Sequence, residues 1–116
     1  MQFDHFTIAL LLLRPDAPQL DEEASAALQD AHMAHVADLH KAGHLLAAGP
    51  LFDKVYRGLT ILNVDPEQAR ALKEQDPAVR AGRYSVKVVP WQVPAGAMAF
   101  SAAHFPRSVA EAIGGS

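Results

Sequence analysis

The residues best suited to chemistry are gathered in one stretch. Residues 28–50 read LQDAHMAHVADLHKAGHLLAAGP and hold His32, His35, His40 and His44, four histidines within thirteen residues. At about 100° per residue, Leu28, His32, His35 and Leu39 share one helical stripe, with Ala24, Ala31 and Ala42 beside it. Such a stripe faces a core, where an imidazole is costly unless its nitrogens find partners. Imidazoles titrate near neutrality, so one held under a helix can serve as general acid or base. The simpler alternative is a hydrogen-bonded histidine that only fixes the helix. A metal site is the other chemistry such a cluster suggests. His40 and His44 have the i, i+4 spacing for it, but Gly43 breaks the helix between them and the cluster holds no glutamate, so no metal is expected.

Asp76 stands before Pro77, a pair that commonly caps a short turn. His35 has Asp38 at i+3, which is by default a solvated helix-face pairing. His5, on an apolar segment, alternates with Phe3, Thr7 and Ala9 on one face, which aims it toward the same cleft. Arg14, Tyr84, Arg57 and Trp91 are further pocket or rim candidates, and Trp91 also suits an interface or core anchor.

Composition narrows the classes of function. The 116 residues suit one domain, half of them hydrophobic. A net charge of −3 with no basic cluster argues against nucleic acid. The absence of cysteine excludes disulfides and thiolate chemistry. The apolar run from Phe6 to Leu13 is too short to span a bilayer, and Asp4 stands where a signal peptide needs basic residues. No membrane association is expected, and the expected location is the cytoplasm. The glycines form no phosphate cradle, and Ser85 and Ser101 lack a nucleophile elbow, so no cofactor and no serine hydrolysis are expected.

These side chains must be positioned by short elements. Gln2–Leu13 is strand-like, and its near-continuous apolarity predicts burial on both faces. Arg14–Leu20 is a loop. Asp21-Glu22-Glu23 opens a helix that runs to about Ala42, with Gly43 as its stop. His44–Phe52 is a second strand, with a bend or bulge at Gly49-Pro50, and Gly58–Val64 a third. Asp65-Pro66 caps a second helix, Pro66–Gln75. Arg83–Val93 is a fourth strand, which Pro90 restricts to an edge or to its own end. The β-α-β-β-α-β order predicts an α+β, ferredoxin-like sandwich over residues 1–93. Residues 94–116 form a C-terminal extension with a short helix near Pro106–Ile113, packing on a partner subunit or covering the pocket.

With these elements in place, the chain resembles the YciI-like (YCII-related) family. The matching features are His32 on the first helix, Gly43 with Leu45-Leu46 and Ala48-Gly49-Pro50, Gly58 before the third strand, Asp76-Pro77, and Val88-Val89-Pro90-Trp91. The resemblance implies a dimeric α+β barrel closed through the sheet, and a His/Asp catalytic pair that maps onto His32 and Asp76. Three departures stand out: Ala78, where the family commonly has an aromatic residue, which predicts a roomier pocket; the long loop 14–20; and the long tail. The function implied is a small cofactor-independent lyase or isomerase acting on a carbonyl-bearing or phenolic compound. In it His32 would move a proton and Asp76 would hold its tautomer. His5, His35, Arg14 and Tyr84 are the expected substrate-binding groups. The alternatives are a non-catalytic small-molecule-binding or stress-response module on the same barrel, and a cofactor-free monooxygenase. A homodimer, or an assembly of dimers, is expected in each case because both faces of the sheet are apolar.

Overall fold

The structure, a computed structural model, describes residues 1–114. Its elements are β1 (Phe3–Leu13), α1 (Glu22–Lys41), β2 (Leu45–Pro50), β3 (Tyr56–Leu62), α2 (Pro66–Glu74), a single-turn α3 (Pro77–Arg80), β4 (Tyr84–Pro94) and a short α4 (Val109–Gly114). Gly115 and Ser116, the end of the expected extension, lie outside the described residues. No helix among the described residues is long and apolar enough to cross a membrane.

Local chemistry sets the helix ends. The Asp21 carboxylate accepts the Ala24 amide at 2.7 Å, and Glu22 and Glu23 occupy the positive first turn of α1. Gly43 leaves the helix at φ +84°, a conformation that costs glycine little. Asp65 caps α2 in the same way, accepting the Gln68 amide at 2.7 Å, with Pro66 in the first turn.

The strands form one antiparallel sheet in the order β2-β3-β1-β4, the ferredoxin-like α+β arrangement. Pro90 pairs with Thr7 on the edge strand β4, where its missing N–H faces no neighbouring strand. β3 begins two residues before Gly58. The Asp53 carboxylate accepts the amides of Val55 and Tyr56 at 2.9 and 2.8 Å, which turns the hairpin early. The irregularity expected at Gly49-Pro50 falls instead between Leu45 and Ala47. A second lies opposite Leu11 and Leu12, which pair with Gly58 and Tyr56 and leave Arg57 as the extra residue of a bulge.

Alternation along β1 buries Thr7, Ala9 and Leu11 on the helix-covered face. Ala9 and Leu62 meet Ala69 of α2, while Leu11 meets Ala78 and Tyr84 with Leu28 of α1 beside them. The other face carries Ile8, Leu10, Leu12, Leu59 and Ile61, all only half-buried. No helix of the sandwich covers it. The tail reaches it at one end, where the Phe100 ring meets Phe6 edge-on at 5.6 Å.

Candidate active site

Two elements far apart in the chain bring the central pair together. α1 carries His32 on its sheet-facing stripe, and the turn between α2 and α3 carries Asp76. His32 Nδ1 lies 2.6 Å from Asp76 Oδ2. Asp76 is fully buried, and its other oxygen, Oδ1, accepts the Ala78 amide at 2.9 Å. One carboxylate thus serves as helix cap and as histidine partner, one oxygen for each. With Nδ1–H donating to the carboxylate, Nε2 is the nitrogen left to act as base. The same ring lines a cavity of about 490 Å³ and meets Tyr84 edge-on with centroids 6.5 Å apart.

Behind the pair stand two more basic groups. Lys73 Nζ and His35 Nδ1 lie 3.9 and 4.0 Å from the same Asp76 oxygen, and neither atom has a hydrogen-bond partner. Burial by itself pushes the Asp76 carboxyl up. The His32 hydrogen bond and charge, the Ala78 amide and Lys73 overcome this and hold it below its ordinary value. Burial pushes Lys73 down, against the pull of Asp76. Burial also lowers His35, with Asp76 again opposing and Lys73 and His32 adding to the fall. Asp76 is therefore an ionised carboxylate in a dry setting, held among basic groups, which is the state that orients a neighbouring imidazole.

A YCII-related domain model matches residues 8–92, most of the chain and every element that builds this pair. The chain belongs to the YCII-related family. Among solved structures, this YCII-related chain is similar to 5-chloro-2-hydroxyhydroquinone dehydrochlorinase (TftG) from Burkholderia phenoliruptrix AC1100, in complex with 2,5-dihydroxybenzoquinone. The identity is 20%, the match covers 74% of this chain and 92% of that one, and the TM-score is 0.53. At that identity the likeness establishes the shared fold. No curated protein sequence matches significantly.

The cavity of this YCII-related domain is walled by α1, the β2–β3 hairpin, the start of β4 and the tail. Tyr84 and Arg57 line it, as does Arg83, which the sequence did not single out. The other expected groups lie elsewhere. His5 is exposed opposite Gln92, near the far end of β1. Arg14 is exposed and paired with Asp16 at 2.9 Å. His35 sits behind Asp76 rather than on the cavity wall, because one helical turn carries it past the opening. Trp91 packs on Phe6 on the sheet's outer face, with centroids 6.2 Å apart. Ala78 is buried against Leu11 and Tyr84. The space beside it is a separate hollow of about 30 Å³, so the small residue does not enlarge the main cavity. Among the described residues no cluster of His, Asp and Glu is arranged to hold a metal.

The tail closes one side of the cavity with Phe105 and Pro106. It is fastened to its own α1. Arg107 pairs with Asp38 at 2.6 Å, the Val109 amide donates to Asp30 at 2.9 Å, and the Phe105 ring stacks on His40 at 4.2 Å. Within the tail, His104 also pairs with Glu111. Lys73 was missed in the sequence because a lysine near a helix end reads as solvated. The available signal was its i+4 spacing from Ala69, which puts it on the buried stripe of α2.

Proposed function

We propose that this protein is a small lyase that eliminates across a carbonyl-bearing or phenolic ring compound by acid–base chemistry alone. The observation that carries this reading is the 2.6 Å contact between His32, on the wall of a cavity, and the fully buried Asp76. In an elimination the proton goes to a base and the electron pair departs with the leaving group, so no electron acceptor is needed. His32 Nε2 takes the proton, and Asp76 holds the ring in the tautomer that leaves Nε2 free and stabilises the imidazolium formed. Apolar walls such as Met33, Val36 and Leu11 limit water around the reacting ring. The fold shared with a dehydrochlorinase supports an elimination over the monooxygenase alternative.

The working unit in this reading is a homodimer. Its support is the row of half-buried Ile8, Leu10, Leu12, Leu59 and Ile61 on the face that no helix covers.

The test is chloride release from 5-chloro-2-hydroxyhydroquinone under anaerobic conditions. Wild-type protein is expected to release chloride above the buffer rate. His32→Ala is expected to lose about 10²–10⁴-fold of that rate, the usual worth of a positioned acid–base group, while keeping its circular dichroism. Equal release by the two proteins, or none above buffer, would remove the elimination reading.

A further inference from the structure

We infer that the cavity binds a ring compound bearing an anionic oxygen, held by Arg57 and Arg83. This deepens the lyase reading and rests on it for the site, but not for the charge of the ligand. The cavity wall carries two guanidinium groups and no carboxylate, in a chain whose net charge is −3. Neither arginine forms an ion pair among the described residues, whereas Arg14, Arg70 and Arg107 each pair with a neighbouring acid. Asp53, the acid nearest Arg57 in sequence, accepts the backbone amides of Val55 and Tyr56, which hold its carboxyl below the ordinary value, and the charge of Arg57 adds least to that fall. Asp76 does not reach the cavity, because its oxygens are taken by His32 and the Ala78 amide. The Arg83 guanidinium lies over the face of the Tyr84 ring, its carbon 5.2 Å from the ring centroid.

Both arginines are held in place by their backbones. Arg57 is the extra residue of the β3 bulge, a feature that turns a side chain away from the alternation of its strand. Its carbonyl accepts the Leu51 amide at 3.0 Å. The Arg83 amide donates to Ala78 at 3.1 Å, and its carbonyl accepts the Arg14 amide at 3.0 Å. Two half-buried arginines on one cavity wall that carries no carboxylate are a binding site for carboxylate or phenolate oxygen, which they engage by charge-assisted hydrogen bonds. The cavity volume of about 490 Å³ suits one substituted ring.

The experiment is calorimetric titration of the full chain at pH 8 with matched probes. 2,5-Dihydroxybenzoate is compared with 2,5-dihydroxybenzamide to read a carboxylate. 4-Nitrocatechol, ionised at this pH, is compared with catechol to read a phenolate. At least one anion is expected to bind about tenfold or more tightly than its neutral counterpart, and the pair that shows the preference names the source of the charge. Arg57→Gln and Arg83→Gln are each expected to lose most of the preference, while Arg57→Lys keeps part of it. Arg70→Gln, at an arginine outside the cavity, is expected to retain it. Equal binding of anion and neutral probe in both pairs, preference unchanged in the glutamine variants, or no binding of any probe would overturn the inference. Preference without chloride release leaves the anion site standing and removes the elimination reading. Chloride release without preference does the reverse.

Discussion

Replacing Asp76 by asparagine separates its two jobs. The amide oxygen of Asn can still accept the Ala78 amide, so the cap on α3 survives. The negative charge facing Lys73, His32 and His35 does not. Lys73 Nζ is fully buried 3.9 Å from that charge with no hydrogen bond of its own. At that separation and an effective dielectric of about 20, the attraction is about 4 kcal/mol. Removing one member of a buried pair costs about 3–5 kcal/mol because the other is stranded. Asp76→Asn is therefore expected to lower stability by about 3 kcal/mol, a fall in Tm of about 15 °C for a domain of this size. Asp76→Ala is expected to lose about 1 kcal/mol more, the worth of the cap. Adding Lys73→Met to Asp76→Asn removes the stranded cation, and should return stability to within about 1 kcal/mol of wild type. The assay is urea unfolding at pH 7, with nitrogen NMR of His32 alongside. An Asn amide donating to Nδ1 moves the ring proton to Nε2 and is expected to cost turnover about 10²–10⁴-fold. If Asp76→Asn unfolds with the wild type, or the double variant is no more stable than the single, then Lys73 is not charged against Asp76 and the electrostatic account of the site fails.

The lowered values of His35 and Asp76 also set a pH dependence of stability. His35 is neutral in the fold, so its protonation opposes folding as pH drops below its ordinary value of 6.5. The Asp76 contribution is present above the ordinary carboxyl value of 3.8 and is lost as pH falls through its lower folded value. Two acid steps are expected in the urea midpoint, and His35→Gln should remove the first; an unchanged profile in that variant would sink the assignment. Light scattering at micromolar concentration should report twice the chain mass of 12.5 kDa, and Leu10→Lys on the outer sheet face should halve it. A wild-type monomer would remove the dimer proposal.

Elements governed by nearby residues were legible without a structure. The acidic helix start at Asp21, the cap at Asp65, the stop at Gly43 and the edge placement of Pro90 each depend on a few adjacent groups. The element order that follows from them specifies the ferredoxin-like sandwich. His32 stood out for a similar reason, as an imidazole on an apolar stripe. Periodicity did not separate it from His35, since both lie on one face of one helix. Packing did. His32 reaches the cavity and takes the near oxygen of Asp76, while His35 stays behind it at 4.0 Å. The contact between His32 and Asp76 spans 44 residues, and no local propensity encodes which turn of α1 meets the end of α2. The burial of Lys73, the bulge that exposes Arg57 to the cavity and the course of the tail over α1 are of the same kind. Each depends on how one face of the sheet meets what covers it, and that is decided only when the separate elements share one core.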